Sequence, residues 1–279
     1  MSTQDDLIKS LKKKAVEMRL DLLEMLEPGK VGHLGGSSSA TDIVATLYFH
    51  KMNYSLKNAN DPDRDFFLMS KGHAVPAQYA ALAEAGFFSR DEFPKMKTLG
   101  GMLQGHPDMK TPGMEAVTGS LGQGLSIGAG IAYAKKRMNK AQNKVYVMCG
   151  DGEMAEGQLW EAAAFAATYE LSNLTMILDQ NGLQACGSCV DIMNIPNLPD
   201  KWAAFGWEVI EIDGHDFSQI IEALDRDPGS KPKAIIAHTI KGKGFPFAEN
   251  VVGFHNGAMT KEQHEEGKKA LLAVKEALK

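Results

Sequence analysis

The chain has 279 residues, of which 44% are hydrophobic, and a formal net charge of −5. This suits one large α/β domain with a substantial core and argues against a nucleic-acid backbone or an anionic membrane surface as the main partner. No apolar run approaches the roughly 20 residues needed to cross a bilayer, and the N-terminus lacks the apolar core and cleavage site of a secretory signal. The three cysteines, Cys149, Cys186 and Cys189, suit a reducing compartment, so the expected location is the cytoplasm.

In chain order, residues 4–27 have a helical pattern that stops at Glu27-Pro28-Gly29. The Gly- and Ser-rich stretch VGHLGGSSS (31–39) reads as a loop, followed by an apolar helix over 40–51. A polar loop (54–65), a short buried strand (66–70) and a helix over about 76–85 come next. Residues 94–124 carry Gly, Pro, His and Met without periodicity, and loops this long in a compact domain are usually functional or disordered. A helix is expected from Gly124 to about Lys136. Strands are expected at 144–149, 174–179, 207–213 and 233–239, with helices at 158–170 and 217–226, and a charged helix closes the chain over 260–279. Strand–helix–strand units with continuous apolar strands predict a mostly parallel sheet covered by helices on both faces. Such sheets bind ligands at the C-terminal ends of their strands.

Two turns sit at such ends. Gly150-Asp151-Gly152 follows one strand and Gln180-Asn181-Gly182 follows the next. Asp151 offers a carboxylate and Asn181 an amide carbonyl, both hard ligands for Mg²⁺ or Ca²⁺, and magnesium commonly completes its shell with phosphate oxygens and water. The glycines allow backbone to approach a diphosphate, and the N-terminus of helix 158–170 adds a favourable dipole. GDG alone is a common turn; GDG followed about thirty residues later by Asn-Gly after the neighbouring strand is far more specific.

With these residues in place, the chain resembles the N-terminal, diphosphate-binding domain of transketolase, a thiamine diphosphate enzyme. The resemblance runs through VGHLGG, SKGHAVPAQYA, LQGHPD, TGSLGQG, GDGEMAEG, DQNGLQ and HTIKGKG. It implies the thiamine diphosphate-binding fold and a magnesium ion (or calcium or manganese) held by Asp151, Asn181 and the carbonyl of Leu183. It further implies that Gly152 contacts the diphosphate, that Glu156 organises cofactor sites across a dimer, and that Gly119 and Leu121 contact the cofactor near its aminopyrimidine. His73 is expected near the diphosphate and thiazolium, His33 and His106 along the donor-sugar channel, and Lys241 and His255 near the diphosphate, with looser matching over 244–255. Thiamine supplies the carbanion in such enzymes, while imidazoles exchange protons with the alkoxide formed from a sugar.

Elsewhere the residues have plainer readings. His50, His215 and His238 read as surface or packing residues, and Cys149 as a small apolar strand residue. Cys186 and Cys189 have the spacing of a redox or zinc pair, but no second pair accompanies them within the chain. Met102, Met109 and Met114 fit either interface packing or core filling. The complete family enzyme also needs a pyrimidine-binding domain that supplies a catalytic Glu, and nothing after Lys241 resembles one. The chain is therefore expected to form a single diphosphate-binding domain over 1–279, to act as the N-terminal subunit of a split transketolase, and to form an α₂β₂ assembly with a C-terminal subunit. Its expected activity is transfer of a two-carbon ketol group from a ketose phosphate to an aldose phosphate. Alternatives are a subunit specialised for a branched or sulfonated sugar, and a non-catalytic cofactor-binding subunit.

Overall fold

The computed structural model describes residues 3–140 and 142–279. Its centre is a five-stranded parallel sheet in the order β1 (Phe66–Met69), β2 (Val145–Gly150), β3 (Leu174–Gln180), β7 (Lys233–His238) and β6 (Glu208–Asp213). Side chains alternate across it, as the strand period of two requires. Phe67, Met69, Tyr146, Met148, Ile177 and Ile235 belong to one apolar core. Leu68, Val145, Val147, Cys149, Met176 and Ile236 belong to a second core on the opposite face. The first core is completed by α1 (Thr3–Met25), α2 (Leu34–Thr46), α3 (Val75–Glu84) and α8 (Phe217–Asp225), the second by α4 (Gln123–Arg137), α5 (Gly157–Thr168) and α7 (Leu198–Ala204). This is the expected parallel sheet with helices on both faces, and each fully buried branched or aromatic side chain contributes roughly 1.5–3 kcal/mol to it. A two-stranded hairpin, β4 (Leu183–Gln184) and β5 (Gly187–Ser188), leads into the short α6 (Cys189–Met193), and α9 (Lys261–Ala277) packs on α1.

One element differs from its sequence reading. The Gly-Ser stretch expected as a loop is the first part of α2, which begins at Leu34 and runs on through one π-helical turn at Leu47–Lys51. Small residues are required there by packing: Ser37, Ser38 and Ser39 are fully buried. A Cβ on Gly35 would lie 2.9 Å from both Lys241 Cγ and the Phe254 carbonyl oxygen. Low helix propensity is overridden by close approach to the segment that carries Lys241.

The irregular stretch 94–124 is anchored to the first core. Leu103 and Met114 are buried, and the Tyr79 hydroxyl lies 3.1 Å from the carbonyls of both Gln104 and His106. Met102 packs partly against the core, and Met109 is exposed.

Beneath α5, Trp207 is buried, donates its indole N–H to the Ala163 carbonyl (2.9 Å) and meets Trp202 edge-on at 4.9 Å. Trp207→Ala is expected to cost about 3–5 kcal/mol, read as a lowered midpoint of denaturant unfolding. Among the described residues, no helix is long and apolar enough to cross a membrane.

Candidate active site

Because β2 and β3 pair in parallel with Gly150 opposite Asp179, the turns that follow them lie side by side. The Asp151 carboxylate accepts the N–H of Gly152 at 2.8 Å and that of Gly182 across the gap. Asn181 Oδ1 accepts the N–H of Leu183 at 3.2 Å, and the Leu183 carbonyl accepts from the Lys241 ammonium at 2.8 Å. These groups surround a cavity of about 280 Å³ at the C-terminal edge of the sheet.

Nine of the twelve residues singled out from the sequence line this cavity: His73, Leu121, Asp151, Gly152, Glu156, Asn181, Leu183, Lys241 and His255. His33, His106 and Gly119 do not line it, but they border it. His33 lies with its ring centroid 5.0 Å from His73, 5.7 Å from His255 and 6.2 Å from His106. Gly119 has φ +122°, and a Cβ there would sit 2.4 Å from His106 Cδ2. A side chain at 119 would therefore displace that imidazole.

The four imidazoles form one cluster, of which His73 and His255 line the cavity. His73 and His255 are 4.8 Å apart, and His255 Nδ1 is 3.0 Å from the Lys241 ammonium. Burial, then neighbouring imidazole and ammonium charges, pull His33 and His255 down to about 4. The same causes lower His73, while burial and Lys97 lower His106. The cluster is thus neutral near pH 7, and each ring can both donate and accept a hydrogen bond. These values lie below the ordinary 6.5, so between about pH 6.5 and 4 the unfolded chain binds more protons than the folded one. Stability is expected to be fully retained above that window and to fall through it on acidification. A His33→Gln/His255→Gln variant should lose part of that slope in pH-dependent thermal melts.

The structure also brings in residues that sequence reasoning passed over. Lys71 lines the cavity, donates to the Gly36 carbonyl at 2.8 Å and pairs with the fully buried Asp179. Asp179 further accepts the hydroxyls of Ser39 and Thr239. Glu153 is buried and accepts from Ser70 Oγ and from the N–H groups of Gly122 (2.9 Å) and Gly150 (3.0 Å), tying three loops beneath the cavity. Lys71 lies inside the segment SKGHAVPAQYA, but a loop lysine ordinarily reads as solvated.

Cys186 is exposed on the hairpin turn, and Cys189 is partly buried at the start of α6. Burial and the neighbouring Asp151 carboxylate push the Cys189 thiol up to about 12, which leaves it a poor nucleophile. Cys149 is buried in β2 and packs as an apolar residue.

Among the described residues, no group of three or more His, Cys, Asp and Glu side chains could hold a metal ion. The oxygens of Asp151, Asn181 and Leu183 form a different kind of set: one carboxylate, one amide carbonyl and one backbone carbonyl around the same cavity. That hard, incomplete set fits a magnesium-like cation that takes its remaining ligands from phosphate oxygens and water. Burial, then Asp179, raises the Asp151 carboxyl against backbone N–H bonds that lower it, so a bound cation would favour its charged form. Lys71 and Lys241 supply positive charge for an anionic ligand in the same space.

Residues 11–276 match the family described as transketolase, thiamine diphosphate binding domain. The chain belongs to this family. Among relatives of the transketolase domain, an apulose-4-phosphate transketolase subunit of Phocaeicola vulgatus is 40% identical over 262 residues, covering 93% of this chain and 92% of that protein. The 6-deoxy-6-sulfo-D-fructose transketolase subunit SqwG of a Clostridium species is 43% identical over 245 residues, covering 86% and 89%. A crystal structure of transketolase from Campylobacter jejuni superposes with a TM-score of 0.88 at 29% identity, covering all of this chain and 46% of that one. The chain thus spans nearly the whole of the subunit relatives and less than half of the transketolase of known structure.

Proposed function

We propose that this chain is the cofactor-gripping subunit of a two-subunit transketolase. The observation that carries this is the convergence of Asp151, Asn181, the Leu183 carbonyl, Lys241 and paired neutral histidines on one cavity at the strand ends. In this reading Asp151, Asn181 and Leu183 hold a divalent cation, with magnesium favoured and calcium or manganese able to replace it. Gly152, Lys71, Lys241 and His255 face the diphosphate, and Leu121, Glu156 and His73 face the rest of thiamine diphosphate. Bound thiamine diphosphate supplies the electron-sink chemistry of carbon–carbon bond cleavage. The protein positions it, excludes water and handles protons. His33, His73, His106 and His255, neutral at working pH, would donate to and accept from the hydroxyls and carbonyl oxygen of a ketose phosphate. Glu156 would act across a dimer of this fold.

The pyrimidine-binding domain and its catalytic Glu would come from a separate C-terminal subunit, giving an α₂β₂ assembly. Supporting this, the similar proteins named as subunits match the chain along about nine-tenths of their length. Ketol transfer from a ketose phosphate to an aldose phosphate should therefore require a C-terminal subunit in addition to thiamine diphosphate and magnesium. Robust turnover by this chain with cofactor and metal alone would refute the split.

A specialised donor is a second reading. It is favoured by two relatives whose names carry apulose 4-phosphate and 6-deoxy-6-sulfo-D-fructose. Assaying the reconstituted pair with ordinary, branched and sulfonated ketoses separates the two.

A further inference from the structure

Lys241 reaches the cavity from an irregular segment, 239–244, that turns after β7 and forms neither helix nor strand. Its neighbours along the chain are pinned one after another. The N–H of Thr239 donates to the Gln180 carbonyl (3.1 Å), and that of Gly242 to the Gly35 carbonyl (3.0 Å). The Lys243 carbonyl accepts from Arg19 Nε at 2.9 Å and from the Ser38 hydroxyl. The residue immediately before Lys241 is held by a side chain from the turn after β6: the Ile240 N–H donates to His215 Nε2 at 2.9 Å. The other ring nitrogen, His215 Nδ1, lies 2.7 Å from Asp42 Oδ2. Asp42 in turn takes both terminal nitrogens of Arg19, at 2.7 and 2.8 Å. The side chains of His215, Asp42 and Arg19 are 11%, 6% and 7% exposed, so water does not substitute for these bonds.

The donor and acceptor roles are fixed by the backbone. An amide N–H has only a proton to offer, so Nε2 must carry the lone pair, and the ring proton must sit on Nδ1 and point at the Asp42 carboxylate. A histidine that only filled space would need neither bond.

We infer that His215 is a positioning residue: as the neutral Nδ1–H tautomer it ties segment 239–244 to the Arg19–Asp42 ion pair and so sets where the Lys241 ammonium enters the cavity. The chain of bonds runs from α1 through α2 and the end of β6 to the cavity wall. Its consequence for cofactor binding rests on the proposed reading of the cavity. Its structural core does not.

The two parts are tested separately on the full chain. In uniformly ¹⁵N-labelled protein, a scalar coupling across the hydrogen bond should link the Ile240 amide nitrogen to an unprotonated His215 Nε2. Absence of that coupling, with Nε2 protonated, would overturn the inference. His215→Phe keeps a ring but neither bond, whereas His215→Gln can present an amide N–H to Asp42 and a carbonyl oxygen to Ile240. Amide exchange in residues 239–244 should quicken about tenfold in the Phe variant, with β7 and α2 still protected, and return towards wild type in the Gln variant. Calorimetric titration with thiamine diphosphate and magnesium should show about tenfold weaker binding for Phe and recovery to within about threefold for Gln. Equal exchange in segment 239–244 for the wild-type and Phe proteins would refute the positioning role. If the wild-type chain bound no cofactor even with its C-terminal subunit present, the proposed function would fail, and the coupling and exchange results would still decide the role of His215.

Discussion

Replacing Asp151 with alanine is expected to weaken thiamine diphosphate binding by about a hundredfold or more in the presence of magnesium. Loss of a residue that merely supports a metal ligand commonly costs 10–100-fold, and Asp151 offers the single carboxylate among the three candidate ligands. Its two oxygens also hold the N–H groups of Gly152 and Gly182, so the side chain joins the turns after β2 and β3 as well as facing the cavity. Asp151→Asn separates these roles. An amide keeps an acceptor for one turn but removes the negative charge, so the fold should persist, with a melting temperature near that of the parent, while magnesium-dependent affinity is lost. Calorimetry with thiamine diphosphate, run with magnesium and again with a chelator, reads the effect. Parental affinity in the alanine variant would remove Asp151 from the site.

The second large effect is on stability. Asp179 is fully buried at the end of β3, between Lys71, Ser39, Thr239 and the Asn181 amide. Burial alone would raise its carboxyl, but the Lys71 ammonium, with the Ser39 and Thr239 hydroxyls also in contact, brings it below the ordinary carboxylate range. Asp179→Ala would leave the Lys71 ammonium, itself 3% exposed, without its counter-charge. Breaking a buried pair in this way costs about 3–5 kcal/mol. For a chain of this length that corresponds to a fall in melting temperature of about 10 °C. Joint replacement, Lys71→Met with Asp179→Leu, should restore part of that stability, since no uncompensated charge remains, although the Ser39 and Thr239 hydroxyls lose their acceptor. Cofactor affinity should stay low in the double variant because the Lys71 ammonium lines the cavity. If Asp179→Ala melted as the parent does, the ion pair would carry none of the fold's stability.

Much of this arrangement was legible in the residues. The sheet could be read because its strands are continuous apolar runs separated by helical patterns, as 144–149 and 174–179 illustrate. The metal-site candidates could be read because glycine-flanked Asp151 and Asn181 fall directly after those runs. What escaped reading has particular causes. The Gly-Ser stretch before Ala40 has loop composition, and only tertiary packing against Lys241 and Phe254 makes it a helix. The hairpin at 183–188 and the seven-residue helix at Leu198–Ala204 are too short to show a period. Lys71 and Asp179 lie 108 positions apart, and nothing local to either reveals that they pair. His255 sits where the family resemblance is loosest, yet its ring lies 4.8 Å from that of His73. His215 had no motif to mark it; its importance comes from two bonds that exist only in the folded chain.

The most direct test of the account is a crystal structure of the chain grown with thiamine diphosphate and magnesium. A metal ion should bridge the cofactor's diphosphate to the side chains of Asp151 and Asn181 and the carbonyl of Leu183, with the Lys241 ammonium moved from Leu183 towards phosphate oxygen. A diphosphate bound away from these three oxygens, or bound among them with no cation, would contradict it.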